Sequence, residues 1–277
     1  MQRFLIVNPS SGTDSPSADE LREAARARGV EVHLLQDGDD LQQLAREAAA
    51  GVLGMAGGDG SLAAVAGVAL EQDVPFVVVP FGTRNHLARD LGLDRDDPLA
   101  ALAAFEDGEE RRIDVGRVGE RLFLNNVSLG LYARLVHRRE HHRRRRDALA
   151  RLRAFLLTLK DRRRLQRFTI DGRTVRARLV LVGNNHYSLD LLSLGERERL
   201  DEGELHLYVP HGFRRITWDE HACTELEIGS PLPRLRAAID GEPAELETPL
   251  RFRVEPRALR VLVPRGRDAG PGATVPP

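Results

Sequence analysis

Val52-Leu53-Gly54-Met55-Ala56-Gly57-Gly58-Asp59-Gly60-Ser61 is the stretch that decides the fold. A short apolar run passes straight into a glycine turn, and Leu62 to Leu70 follows with a helical pattern. That order predicts a buried strand, a turn and a helix. Outward from it the same rhythm repeats. Phe4-Leu5-Ile6-Val7 predicts a strand closed by Asn8-Pro9-Ser10-Ser11-Gly12. Residues 18–28 place Leu21, Ala24, Ala25 and Arg28 at helical spacing, with Gly29 as the stop. Val30 to Leu35 predicts a second strand and residues 39–50 a second helix. Phe76-Val77-Val78-Val79 predicts a fourth strand, closed by Pro80-Phe81-Gly82-Thr83. Short apolar strands alternating with helices predict an α/β domain over residues 1–115, built on a doubly wound parallel sheet. Ligands of such sheets sit beyond the carboxyl ends of the strands, where all three turn clusters fall.

From about Ile113 the rhythm changes. Leu122–Val127, Val175–Val182, Leu205–Val209, Leu235–Ile239, Leu250–Val254 and Leu259–Val263 are β-rich and separated by Gly, Pro, Asp or Asn turns. They predict a second, mostly antiparallel domain over 116–264, resembling a β-sandwich. Helical signal survives in residues 147–160, and residues 265–277 read as a disordered Gly- and Pro-rich tail.

Composition excludes several classes. Of the 277 residues 30% are charged and 42% hydrophobic, which excludes disordered, collagen-like and polytopic membrane chains. No uncharged apolar stretch approaches the ~18–20 residues that a bilayer crossing needs. The apolar run near Met1 is too short for a signal-peptide core. Cys223 is the only cysteine, so an intrachain disulfide and a cysteine-based metal cluster are both excluded. The expected location is the cytoplasm.

The net charge of −1 hides an asymmetry: Arg134 to Arg167 holds 14 Lys and Arg against three acids. With Leu149, Leu152, Phe155, Leu156 and Leu159 beside it, this basic helical insertion at about 134–167 predicts docking on an anionic membrane surface. A solvated charged helix is the plainer reading. Apart from Phe155 and Phe168 interleaved aromatics are missing, so no nucleic-acid partner is expected.

The turns carry the chemistry. Glycines directly after a strand let backbone N–H groups approach a phosphate, and the following helix adds its positive end. An aspartate there suits a metal ion or a ribose hydroxyl. No Lys-Ser/Thr follows the glycines, so the turn is not a P-loop, and its spacing fails the dinucleotide fingerprint. Read alone, Gly57–Ser61 is as readily a structural turn. Asn8–Gly12 and Gly82-Thr83-Arg84-Asn85 add polar donors at two other strand ends, with Arg84 a candidate cation. Read alone, Asp240-Gly241-Glu242 is a hairpin turn, since Asp-Gly favours one.

Asn-Pro-x-Ser-Gly, Gly-Gly-Asp-Gly-Ser and Pro-Phe-Gly-Thr-Arg-Asn, in this order, resemble the diacylglycerol kinase catalytic domain. The resemblance is closest to the soluble bacterial lipid kinases of that superfamily, which includes sphingosine kinases and, more distantly, NAD kinases. It continues through Ile113–Gly116, Phe123–Asn126, Asp201–Leu205 and Ile239–Pro243, and covers about residues 3–264. It implies a kinase that uses ATP and Mg2+ to phosphorylate a lipid hydroxyl, with diacylglycerol the leading acceptor. Asn8, Ser11, Gly12, Gly57, Gly58, Asp59, Gly60, Ser61, Gly82, Thr83 and Asn85 would then meet the nucleotide. Asp59 would lie near the metal and serve catalysis, and Glu242 would be the general base. The chemistry agrees, since a carboxylate within reach of a lipid hydroxyl can take its proton as the phosphoryl group transfers. The cleft between the two domains is the expected active site.

Three positions depart from the family. His86 stands where an Asp is usual, Leu35 where a nucleotide-contacting Thr is usual, and Asp201-Glu202-Gly203 where an Asp-Asp-Gly loop binds a structural magnesium. Glu202 and Glu204 are the oxygen donors offered to that ion. The partners implied are a lipid in an anionic membrane at the inner face, reached peripherally, and a second copy as a homodimer. An NAD kinase-like enzyme with a soluble substrate, and a nucleotide- and membrane-binding protein without turnover, are the alternatives.

Overall fold

The computed structural model describes residues 2–11, 16–130, 165–190, 193–211 and 217–265. Gly12, most of the basic block and all but the first residue of the C-terminal tail lie outside them. The chain divides into two compact units: residues up to Ile113 with those from Arg257 onward, and Asp114–Pro256.

In the first unit the elements are β1 (Arg3–Val7), α1 (Ala18–Arg26), β2 (Glu31–Leu34), α2 (Leu41–Glu47), β3 (Val52–Gly57), α3 (Asp59–Glu71), β4 (Phe76–Pro80), α4 (His86–Asp90), α5 (Pro98–Ala101) and α6 (Ala104–Asp107). Next comes β5 (Gly108–Val118), which carries the chain into the second unit. β2, β1, β3 and β4 lie side by side in that order, every pair parallel. β3 and β4 are buried along their whole length, the pattern of parallel strands covered on both faces. The first two helices have local causes. Ser17 and Glu20 form a capping box before α1: the Glu20 amide donates to Ser17 Oγ, and the Ser17 amide to the Glu20 carboxylate. Such a cap contributes about 1 kcal/mol. Asp40 caps α2 by accepting from the Gln42 and Gln43 amides. α3 starts at Asp59, inside the glycine stretch and ahead of the expected Leu62, and buries Leu62, Val65, Ala66, Val68 and Ala69.

The second unit holds β6 (Arg121–Phe123), β7 (Asn126–Gly130), β8 (Gln166–Ile170), β9 (Arg173–Ala177), β10 (Leu179–Asn184), β11 (Leu189–Asp190), β12 (Ser193–Leu194), β13 (Leu205–His211), β14 (Thr217–Cys223), β15 (Glu225–Gly229), β16 (Arg234–Ile239), β17 (Glu242–Glu247) and the first part of β18 (Leu250–Pro264). One sheet runs β14-β13-β10-β7-β16-β17, all antiparallel. The other brings β9, β8 and β15 beside residues 250–253 of β18. Both sheets feed one apolar core, in which Val127, Val180, Leu207 and Ala237 pack with Phe168, Ile228 and Phe252. This is the expected sandwich.

The sequence reading placed residues 257–264 with the second domain. They belong instead to the first unit, where Val261 and Leu262 pair parallel with Phe76 and Val77 of β4. Two apolar runs that read as separate strands are one 15-residue strand, and the unit boundary falls at Arg257, whose φ is +50°. An alternating apolar run announces a strand but does not name the neighbour it pairs with.

Candidate functional site

The first unit brings three turns to one sheet edge. β1 and β3 end in register at Val7 and Ala56, and β3 and β4 at Gly57 and Pro80. The Asn8 amide continues the ladder by donating to Ala56 O at 2.9 Å, and its side-chain oxygen accepts from the Ser10 amide at 3.0 Å. The Ser11 amide closes the turn on Asn8 O.

The turns touch. A Cβ built on Gly57 would sit 2.7 Å from Met55 Cε, 3.3 Å from Ser61 Cβ and 3.6 Å from Asn8 Cβ. One built on Gly82 would sit 2.7 Å from Gly58 Cα and 3.0 Å from its nitrogen. At Gly82 the clash is with backbone, so packing needs glycine there, whereas at Gly57 the nearest atom is the flexible end of Met55, which can move aside. Packing does not require glycine at Gly58: its φ is −79° and a Cβ there meets nothing within 4 Å. Gly58 is also the N-cap of the 13-residue α3 without a side-chain cap. The first turn of a helix presents N–H groups that have no intrahelical partner, and an anion is stabilised there. A bare backbone facing open space at that point is what a phosphate needs.

Asp59, the residue expected near the metal, is the first residue of α3. It is only 8% exposed, and its two oxygens accept the His86 and Leu87 amides at 3.4 and 3.3 Å. It thereby ties the glycine turn to the start of α4. Asn85 is likewise turned inward. At φ +49° its side chain accepts from the Gly82 amide at 2.9 Å and donates to Gly82 O at 2.8 Å. Asn85 shapes the turn; Thr83, at its tip, is exposed. The half-buried His86 ring is held below its ordinary pKa, chiefly by burial; Asp59 opposes this and Arg89 and Arg84 reinforce it.

In the second unit Asp240 and Gly241 form a two-residue hairpin loop between β16 and β17, with φ of +47° and +86°. Two positive φ values in such a loop mark a type I′ turn. Its aspartate does more than turn the chain: the carboxylate accepts the amides of Leu124, Asn125 and Asn126 at 2.8, 2.7 and 3.0 Å. Glu242, two residues on, is exposed at the start of β17. The Asp-Gly reading is thus correct for the backbone, while the anchoring role of Asp240 depends on a partner 114–116 residues away.

Residues 2–118 match the diacylglycerol kinase catalytic domain. A protein of Pseudomonas aeruginosa named "Probable lipid kinase YegS-like" is 30% identical over 274 residues, covering 88% of this chain and 87% of that protein. The chain belongs to this lipid kinase family. A diacylglycerol kinase of Mycobacterium tuberculosis is 27% identical over 294 residues, 94% of each chain. The crystal structure of a Bacillus anthracis diacylglycerol kinase covers 95% of this chain at a TM-score of 0.67 and 18% identity, which speaks for the fold.

Within this lipid kinase the loop expected to hold magnesium also makes contacts of its own. Glu202 Oε2 accepts the His186 amide at 2.8 Å, and the Gly203 amide donates to Asp114 at 2.6 Å. The Glu202 and Glu204 carboxylates lie 4.0 and 3.7 Å from His206 Nε2. Among the described residues no group of three or more His, Cys, Asp or Glu side chains is arranged to hold a metal ion. Also among the described residues, no helix is long and apolar enough to cross a membrane.

Proposed function

We propose that this chain transfers the γ-phosphoryl group of ATP to a lipid hydroxyl, with diacylglycerol as acceptor and phosphatidic acid as product. The observation that carries the nucleotide half is Gly58: packing and backbone conformation leave its glycine unexplained, and room for a ligand explains it. Mg2+ enters with ATP as part of the substrate. It needs only one or two carboxylates when phosphates and water complete its shell, so a side-chain cage is not required.

The chain's own contribution is binding, charge and one proton transfer. The amides at the start of α3 and the Asn8–Ser11 turn hold the triphosphate. Asp59 keeps the second glycine turn against the first by gripping the amides of His86 and Leu87. Glu242 takes the proton of the acceptor hydroxyl as its oxygen bonds to the γ-phosphorus and the bond to ADP breaks. Asp240 fixes the turn from which Glu242 projects. The basic residues of 134–167 favour an anionic bilayer, where the acceptor resides.

ATP, Mg2+ and mixed micelles containing diacylglycerol supply the test. Phosphatidic acid should form with the native chain and drop to background in Asp59→Ala and in Glu242→Gln. Undiminished product in both variants would remove these role assignments. Phosphorylation of NAD in the absence of lipid would move the acceptor to a soluble molecule.

A further inference from the structure

The segment Leu124-Asn125-Asn126 is gripped from two directions, and the second grip comes from Arg197. Only 3% of Arg197 is exposed. Its Nη1 donates to Leu124 O at 2.7 Å and to Asn184 O at 3.0 Å, and its Nη2 donates to Asn125 Oδ1 at 2.7 Å. The guanidinium also lies over the Tyr187 ring, 5.2 Å from its centroid. Asn184 reinforces the same place: its amide donates to Asn125 O at 2.9 Å, and its Nδ2 to Leu124 O at 3.1 Å and Asp114 O at 2.9 Å.

Leu124 O and the Asn125 amide belong to one peptide group. Arg197 donates to its oxygen, and its N–H donates to Asp240 Oδ1 at 2.7 Å. A buried cation and a buried carboxylate thus act on opposite ends of a single amide dipole. Each polarises the peptide in the sense that strengthens the other's hydrogen bond. Charge-assisted bonds of this length are also the strong, geometrically strict ones. Removing an arginine from water is costly unless its donors are well satisfied, and here they are directed at the back of the segment that anchors the Asp240-Gly241-Glu242 turn.

We propose that Arg197 is a positioning residue for Glu242, acting through the Leu124–Asn125 peptide and Asp240. The proposal rests on Glu242 being the base. Misplacing a reacting group by about 1 Å can lower a rate by about 100-fold. Loss of the guanidinium fork should therefore lower kcat by about 10- to 100-fold and leave the KM for ATP unchanged. A residue that merely supported the fold would affect both, or only the melting temperature.

The experiment uses full-length Arg197→Lys and Asn125→Ala beside Glu242→Gln, assayed with MgATP and diacylglycerol micelles. In Arg197→Lys and Asn125→Ala, kcat should fall at constant KM for ATP. The acid limb of the kcat–pH profile should shift as well. Arg197→Ala should recover part of its rate with millimolar methylguanidinium. If Glu242→Gln is inactive while folded Arg197→Lys and Asn125→Ala turn over normally, the positioning role is wrong and the base assignment stands. If Glu242→Gln retains full activity, the base assignment itself fails. Should the variants not fold, amide exchange of native protein decides. Protection of the Asn125 amide up to global unfolding is expected, and exchange through local opening would overturn the proposal.

Discussion

Replacing Gly58 by serine separates stability from nucleotide binding. Gly58 sits at φ −79° with nothing within 4 Å of a Cβ, so the fold accepts a side chain there. Serine is the better N-cap, and its hydroxyl would accept an amide of the first turn of α3, adding a few tenths of a kcal/mol. The melting temperature should stay the same or rise by about 1 °C. The same hydroxyl would occupy the space left for a phosphate and take a donor from it. Losing one hydrogen bond to a charged group is worth about 1.5–3 kcal/mol. At 1.4 kcal/mol per decade, the KM or Kd for ATP should rise by about 10- to 150-fold. Circular dichroism melting and calorimetric titration with ATP read the two quantities on one preparation. Unchanged ATP affinity in folded Gly58→Ser would refute the idea that this surface binds the triphosphate.

Further outcomes follow from the same contacts. Gly82→Ala should behave oppositely in stability, because its Cβ would meet Gly58 Cα at 2.7 Å; overpacking of this kind costs about 1–3 kcal/mol, visible as a lower melting temperature. His86 has its folded pKa lowered from 6.5 by burial, so the fold favours the neutral ring. Its contribution is full above about pH 6.5 and is lost as the pH falls toward the folded value. Melting curves of His86→Gln should accordingly fall less than those of the native chain between pH 7 and pH 5. Burial pushes the Cys223 thiol up to about 11. Against an ordinary thiol near 8.5, iodoacetamide at pH 8 should modify native protein about two orders of magnitude more slowly than unfolded protein.

The four parallel strands of the first unit and the three helices between them were legible because each is short, apolar and punctuated, whereas α4, α5 and α6 were not read. Val52–Ala56 runs into glycines, Phe76–Val79 into Pro80, and the first helix stops at Gly29. The three polar turns at strand ends were legible for the same reason. What escaped was long-range. Nothing around Asp59 announces that its carboxylate receives the amides of residues 86 and 87. Nothing in Glu196-Arg197-Glu198 marks Arg197 as buried, since an arginine between two acids reads as surface. The placement of residues 257–264 escaped because an alternating apolar pattern does not say which neighbouring strand it pairs with. His86, noticed as a departure from the family, proved informative in its backbone as well as its ring. Its amide is one of the two that Asp59 holds.

Lipid phosphorylation itself is tested most directly by incubating the native chain with γ-labelled ATP, Mg2+ and a total bacterial lipid extract, then separating the chloroform-soluble products by thin-layer chromatography. One labelled lipid migrating with phosphatidic acid, absent with Glu242→Gln, is the predicted result. A labelled product confined to the aqueous phase, or no transfer of label to any lipid, would contradict it.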